Sequence, residues 1–444
     1  MHVLISEGRV FRGGRALLFI LERTGWWTVA PTLALPPFIR AVEAGYWLIA
    51  MNRTIFSKLL FPSQDISGTA VSMPDEIRAK LTLYVLALSS ILTFAISWRF
   101  WTPYRTYPMV PFLPGLHLAA TVSIAMLVMA CVGLVVAAAP KTTTVGLSGF
   151  LLSTAILILE DQSRLQPYIY VEIVVAFGLL YHSIKGGELR SVRMALVFVY
   201  LWAGIQKLNI HYFDEVFPWV FFGPRAMHLL SFLQNYHLIF RGVALFSALL
   251  EIGACVLLTW PKTRNLGVLA VAAIHTIAFL LIGPVGLNYA PVVWPWNIAL
   301  VAYVMILFWN HKGNILRVRD PAHAFVVVLF GLLPILNWFS LWDDYLSFHA
   351  FSGATMNGYM EIPMEEESAL PMSARQGVHQ HKLLFVEWSM NDTRASAYPA
   401  ARVYRSVFRE TCRIVPNAVL VILSKPEWPS GRTTSVREKC PEKR

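Results

Sequence analysis

The 444-residue sequence contains little charge. Asp, Glu, Lys and Arg make up 14% of it, whereas about 25% is usual in soluble proteins. Hydrophobic residues make up 56%, and the mean hydropathy is +0.54. This shortage of charge excludes an ordinary soluble globular protein, because too few polar side chains remain to cover its surface. The composition predicts an integral membrane protein whose main partner is the lipid bilayer.

Signatures of several common chemistries are also missing. The chain has four cysteines, no paired CxxC and no HExxH, so we predict no metal site and no dithiol site. It has no GxxxxGK[ST] loop for phosphate. The net charge of +11 requires no nucleic acid, because basic loops facing anionic lipid account for most of it.

Long apolar runs are abundant instead. A helix that crosses a bilayer needs about 20 mainly apolar residues. Nine runs are candidates, near 81–98, 114–139, 144–160, 168–184, 192–210, 240–260, 266–284, 292–310 and 322–342. The third is short and the fourth contains Glu172, so the count is eight or nine. We predict an all-α polytopic bundle of 8–9 transmembrane helices over residues 80–345.

Residues 1–79 differ from the bundle. Apolar clusters are mixed there with charged side chains such as Arg23, Arg40 and Glu43. This mixture favours an amphipathic helix that lies along the membrane interface rather than across it. The short apolar run near residue 20 is interrupted by charge and lacks a small-residue cleavage site, so we expect no cleaved signal peptide.

Loop charges predict the orientation of the chain. With a cytoplasmic N-terminus every inner loop is basic, through Lys141, Lys185, Arg190, Arg193, Lys262, Arg264, Lys312, Arg317 and Arg319. The outer loops carry little positive charge for their length. By the positive-inside rule the N-terminus is cytoplasmic, and nine spans place the C-terminus on the extracytoplasmic side.

Residues 346–444 change abruptly in composition. An acidic patch occupies 361–367, and HKLLFVEWSM at 381–390 alternates in the manner of short strands. We predict a small α+β extracytoplasmic domain. Cys412 and Cys440 both fall within it and are the pair available for a disulfide there.

Three neighbouring spans each contain one ionisable side chain. Lys207 lies near the outer end of its span, and Glu251 and His275 lie near the middle of the next two. An unpaired charge at the bilayer centre costs about 2.5–3.5 kcal/mol, so we expect partners or a polar cavity. Structural interpretations remain open, with Lys207 as a snorkelling anchor, Glu251 in a helix-packing hydrogen bond and His275 as a satisfied core imidazole.

Polar residues of the outer loops fall on the same side of the membrane. We interpret them as substrate-binding or cofactor-binding residues; they are Asp161, Arg164, Gln166, Asn288, Trp294 and Asn297. Asn297 is equally suited to a hydrogen bond at a helix start, and Asp161 with Arg164 to an exposed loop pair.

The segments around these residues resemble a known family. AGIQKLNIHYF, ALLEIGACVLL with its embedded glutamate, and HTIAFLLIG are similar to the membrane domain of the vitamin K-dependent gamma-carboxylase family, also called the horizontally transferred transmembrane (HTTM) domain. The resemblance covers about residues 80–345. Its most specific element is Gly-x-x-Lys-Leu at Gly204, Lys207 and Leu208.

This resemblance implies an activity and a cofactor. In the carboxylase, a lysine of this motif deprotonates reduced vitamin K on the lumenal side and so starts its oxygenation. By position Lys207 would be that base, and the cofactor a reduced quinone such as vitamin K hydroquinone. The chain departs from the family in having Gln206 in place of a second lysine, and only about 100 residues follow the last span. We identify no counterpart of the carboxylase's active-site histidine.

Two hypotheses about function follow. The first is a quinone-linked membrane enzyme, with Lys207, Glu251 and His275 as catalytic residues at an outer pocket that takes a lipophilic quinone or an extracytoplasmic substrate. The second is a non-catalytic scaffold or transporter-like protein whose buried polar groups are structural. An enzyme predicts a cavity beside Lys207. A scaffold predicts that Lys207 and Glu251 satisfy each other and that no cavity adjoins them.

Overall fold

A computed structural model describes residues 2–4, 10–23, 29–36, 39, 42–43, 46, 73–113, 115–187, 189–223, 236–318, 320–427 and 430–441. The chain divides into two units, Met1–Met73 and Pro74–Arg444. The first contains the antiparallel hairpin of β1 (His2–Leu4) and β2 (Val10–Arg12), then α1 (Gly13–Arg23) and α2 (Val29–Ala34). Most of residues 1–79, where we predicted an interfacial helix, lies outside the described residues.

Helices coincide with all nine apolar runs of the second unit. They are α3 (Asp75–Ile96), α4 (Ala120–Ala137), α5 (Thr143–Glu160), α6 (Pro167–Lys185), α7 (Arg190–Gln206), α9 (His237–Thr259), α10 (Arg264–Ile282), α11 (Val293–Phe308) and α12 (Pro321–Phe339), with a short α8 (Phe217–Phe222) before α9. Seven helices in the described ranges are long and apolar enough to cross a membrane. The other two, α7 with 17 residues and α11 with 16, are shorter. The protein is therefore a helical polytopic membrane protein, as predicted.

Arginine is concentrated at one end of the bundle, where α3, α7 and α10 begin and α11 ends. Arg78 Nη2 donates to the Trp309 carbonyl and Arg193 Nε to the Leu307 carbonyl, each at 2.8 Å. Arg264 donates in the same way to carbonyls at the end of α9. Each guanidinium thus caps acceptors that a helix leaves unsatisfied at its C-terminus. We call this the basic end.

A small sheet with short helices follows the bundle, and we call this part the C-terminal region. In chain order its elements are β3 (Asn357–Glu361), α13 (Met372–Arg375), β4 (Val378–His379), β5 (Lys382–Leu384), α14 (Phe385–Thr393), α15 (Ala401–Thr411), β6 (Val419–Leu423) and β7 (Ser435–Lys439). The strands form an antiparallel sheet in the order β4-β5-β3-β6-β7. Buried apolar residues of the sheet and of α14 and α15 form its core, which Tyr107 and Val110 from the loop after α3 also join.

The stretch HKLLFVEWSM is only partly a strand. Residues Lys382–Leu384 pair in the sheet, but Phe385–Thr393 form α14. Phe385, Trp388, Ser389 and Asp392 are buried on one face of it. This spacing is helical rather than alternating, so our strand interpretation was wrong for the second half of the stretch.

A disulfide joins Cys412, just after α15, to Cys440, just after β7, with a Cα–Cα distance of 5.6 Å. It ties the last strand of the sheet to the helix that packs on it. Cys131 on α4 and Cys255 on α9 are free. Both lie within helices of the bundle.

Candidate functional site

Lys207 directly follows α7 and is paired inside the protein. Its ammonium donates to both carboxylate oxygens of Glu251 on α9, and each N–O distance is 2.7 Å. The two side chains are only 12% and 13% exposed. The opposite charges therefore compensate each other where water is largely excluded.

Gly204 brings α7 close enough to α9 for this contact. A Cβ atom at Gly204 would lie 2.8 Å from the carbonyl oxygen of Ala248 and 2.7 Å from a side-chain carbon of Ile252. Only a glycine fits at that separation. Since Lys207 is three residues further along the chain, the close approach of the two backbones sets its distance from Glu251.

His275 on α10 links side chains from two other helices. Its Nδ1 lies 2.9 Å from Asn297 Oδ1 on α11, and its Nε2 lies 3.0 Å from the Tyr200 hydroxyl on α7. Asn297 Nδ2 donates to the Val293 carbonyl at 2.9 Å, which leaves Oδ1 facing the imidazole. Because Oδ1 only accepts, His275 Nδ1 carries a proton and donates to Asn297. In the neutral imidazole, Nε2 then accepts from the Tyr200 hydroxyl.

The Lys207–Glu251 pair and the His275 chain face one cavity of about 220 Å³. We call it the inner cavity; the polar residues in its described lining include Tyr200, Lys207, Tyr212, Ser247, Glu251, His275 and Asn297. The remaining lining is mainly aliphatic and aromatic. A dry cavity of about 150 Å³ suffices for benzene, so a substituted aromatic ring fits here. The arrangement suits an apolar molecule with a polar head.

Two further residues of this site escaped sequence reasoning. The Tyr212 hydroxyl lies 2.8 Å from Ser247 Oγ, and both residues line the inner cavity. A signal for Ser247 existed, since it lies one helical turn before Glu251 and therefore on the same face of α9. Tyr212 had no such signal, because the chain leaves the α7 helix before reaching it.

A second cavity, of about 260 Å³, lies between the bundle and the C-terminal region. We call it the outer cavity; its lining includes Gln166, Tyr168, Tyr345, His349, Ser352 and Tyr404. Phe351 and Trp296 are among the residues that line both cavities, which are therefore adjacent. His349 Nε2 lies 2.8 Å from Asn337 Oδ1, and burial lowers the pKa of His349 to about 4. This histidine is neutral near neutral pH.

Asp161 and Arg164 are absent from the described lining of both cavities. Arg164 donates to Glu160 at 2.7 Å and to the Phe100 carbonyl at 2.9 Å. Burial alone would raise the pKa of Asp161, but the adjacent Arg105 and Arg164 outweigh it and lower the pKa. Both residues are completely buried. They are therefore not the exposed loop pair considered above, and they tie the connections between helices together instead.

Of the other predicted binding residues, two line a cavity and two do not. Asn297 lines the inner cavity, and Gln166 lines the outer one while its Nε2 donates to the carbonyl of Ser396 at 3.0 Å. Asn288 adopts a positive φ of 51° in a turn. Trp294 donates from Nε1 to a backbone carbonyl within the same turn. Neither of these two is among the described residues that line a cavity.

Across the described ranges, no group of three or more His, Cys, Asp or Glu side chains is placed to hold a metal ion. No model of a known protein family matches the chain, and no curated protein or solved structure matches it either. The fold and the site by themselves define the class. It is a helical polytopic membrane protein in which three helices present ionisable side chains to one largely apolar cavity.

Proposed function

We propose that the protein is a membrane enzyme that binds a reduced lipophilic quinone in the inner cavity and takes a proton from it. The observation that carries this proposal is that a buried, hydrogen-bonded Lys207–Glu251 pair opens onto an apolar cavity large enough for an aromatic ring. The resemblance of Gly204, Lys207 and Leu208 to the carboxylase motif points in the same direction.

The lining fits a quinol chemically. Apolar side chains suit the ring and its lipid tail, and polar groups stand where phenolic oxygens need partners. A hydroquinone supplies two acidic O–H groups and two electrons. Tyr212 and Ser247 each offer a hydroxyl that donates or accepts, so they suit either redox state of such a headgroup.

Because Lys207 is paired with Glu251, the roles of the two residues differ from the role of a lysine that acts alone as a base. While Lys207 is an ammonium, the Glu251 carboxylate is the proton acceptor. Lys207 becomes a base only after its own proton moves to Glu251 along the 2.7 Å hydrogen bond. The pair therefore acts as one acceptor, and the ammonium stabilises negative charge that develops beside it. His275 positions Tyr200 at the cavity wall through the hydrogen bond between its Nε2 and the Tyr200 hydroxyl.

We also propose an orientation of the protein in the membrane. The arginines of the basic end and the basic loops beside it are expected in the cytoplasm. The inner cavity, the outer cavity and the C-terminal region then belong to the extracytoplasmic half. The disulfide supports this placement, because such bonds persist in oxidising compartments.

One observation favours the alternative of a non-catalytic scaffold or transporter-like protein. Lys207 and Glu251 already satisfy each other, as a structural pair would. A purely structural pair does not require an adjoining cavity, so the cavity beside Lys207 and Glu251 favours the enzyme.

Titration with quinols in lipid nanodiscs tests the proposal. Wild type is compared with Lys207→Met and the isosteric Glu251→Gln, using a reduced naphthoquinone and a ubiquinol, and both binding and oxidation by dissolved dioxygen are measured. We expect saturable binding that weakens about 10–100-fold in either variant. Leu249→Ala is the control, because Leu249 is on α9 but 48% exposed. Folded wild-type protein that binds none of the quinols would leave the pair as a structural element.

A further inference from the structure

A second buried carboxyl lies in the bundle and lines neither cavity. Glu172 on α6 is 1% exposed. Ser89 Oγ on α3 donates to its Oε1 at 2.8 Å, and its Oε2 has no hydrogen-bond partner in the described part of the chain. No lysine, arginine or histidine pairs with it there. Glu172 thus differs from Glu160 and Glu251, each of which has a cation at 2.7 Å.

Hydroxyl groups from three helices surround this carboxyl. Ser90 on α3 lies close to the carboxyl itself, Tyr303 on α11 lies close to Ser89, and Tyr168 precedes Glu172 by one turn of α6. All three hydroxyls are at most 2% exposed and have no hydrogen-bond partner among the described residues. Polar atoms buried in this way are normally satisfied by ordered water.

We propose that Glu172 and these hydroxyls form an internal site that binds water and an exchangeable proton. A bare carboxylate without a cation is costly inside a membrane protein, so Glu172 carries a proton near neutral pH. Hydroxyls both donate and accept. When the O–H bond of Glu172 breaks, the proton passes to a neighbouring water. Ser89 keeps its hydrogen bond to Oε1, Ser90 turns to donate to the carboxylate that remains, and Tyr303 turns to donate to Ser89. The cluster therefore accommodates both protonation states.

The residues around Glu172 indicate the side from which its proton exchanges. Tyr168 lines the outer cavity and contacts Trp296, whose Nε1 is itself buried without a described partner and whose ring lines both cavities. The proton of Glu172 therefore exchanges with the outer cavity, on the side of Tyr168. This inference goes beyond the proposed quinol chemistry and does not depend on it.

Infrared spectroscopy of the full chain in lipid nanodiscs tests the site. Near neutral pH, wild type should show the C=O stretch of a protonated carboxyl, and Glu172→Gln should lack it. The band should shift after transfer to D₂O and disappear at alkaline pH. Glu160→Gln is the matched control, because that buried carboxyl has the Arg164 guanidinium at 2.7 Å, the kind of partner that Glu172 lacks, and its loss should leave the band unchanged.

Two more variants keep the test decisive if Glu172→Gln does not fold. Ser90→Ala removes a donor of the carboxylate, and Tyr303→Phe removes the hydroxyl that donates to Ser89, so in each the band should persist about one pH unit higher than in wild type. An unchanged spectrum in Glu172→Gln would mean that Glu172 is ionised and would overturn the proposal. A band that neither shifts in D₂O nor disappears at alkaline pH would also overturn it, since the proton would then be sealed in.

Discussion

Lys207 donates through Nζ to both oxygens of Glu251 at 2.7 Å, and the pair forms part of the wall of the inner cavity. From the sequence, mutual satisfaction of the two charges indicated a scaffold, and a cavity beside Lys207 indicated an enzyme. The structure contains both features. The two interpretations are therefore separated by ligand binding rather than by the presence of the pair.

The stability of the protein should depend on keeping both charges or neither. Lys207→Met or Glu251→Leu leaves one charge buried without a partner, so each should lower the free energy of unfolding by about 3–5 kcal/mol. The double variant should lose less than either single variant. Unfolding in mixed micelles measures all three, with the loop variant Lys141→Met as control. Losses that simply add in the double variant would contradict a coupled pair.

Gly204 should tolerate no side chain. In Gly204→Ala the new Cβ meets the backbone of α9 at 2.8 Å, so the helices must separate and Lys207 must move away from Glu251. We expect a loss of about 1–3 kcal/mol in the free energy of unfolding and weaker quinol binding. Gly253→Ala on α9 is the matched control, because nothing lies within 4 Å of its Cβ position. Equal behaviour of the two variants would argue against close packing at Gly204.

Acid should destabilise the protein through His349. Burial lowers its pKa from 6.5 to about 4, so the folded state holds it neutral while the unfolded state binds a proton. Its contribution is complete above pH 6.5 and declines as the pH falls toward 4, by about 3 kcal/mol in total. Unfolding measured across this range should be less pH-dependent in His349→Gln. An identical pH profile in that variant would show that His349 already titrates normally.

The disulfide should stabilise the C-terminal region. It closes a loop of 28 residues, so replacing Cys412 and Cys440 together by alanine should lower the free energy of unfolding by about 3–4 kcal/mol. A reductant should destabilise wild type by a similar amount and leave the double variant unchanged. Cys131→Ala, which removes a free thiol, should keep the response of wild type to reductant. Insensitivity of wild type to reductant would mean that the bond is not formed.

Helix positions were predictable because a bilayer-length apolar run satisfies its backbone most simply as a helix. All nine predicted runs overlap helices. The start of α3 was missed by six residues, since its first turn contains Asp75 and Arg78 and looks like a loop. Arg78 is buried only because it caps the end of α11, which is distant in sequence.

The site was predictable only in part. Lys207, Glu251, His275 and Asn297 do line one cavity. Asp161 shares their end of the bundle but belongs to a separate buried network with Arg105 and Arg164. Sequence position places a residue at a depth along its helix, and it says little about which neighbour the side chain faces. Residues of connecting loops carry even less information of this kind.

Composition and apolar run length by themselves determined that this is a helical membrane protein and that neighbouring helices contain ionisable side chains, because hydropathy depends only on which residues follow one another. The tertiary structure decided that Lys207 pairs with Glu251, which nitrogen of His275 carries its proton, and that a cavity adjoins them. These properties depend on how each helix is rotated and how closely two helices approach. At Gly204 the two helices approach so closely that there is no room for a Cβ atom.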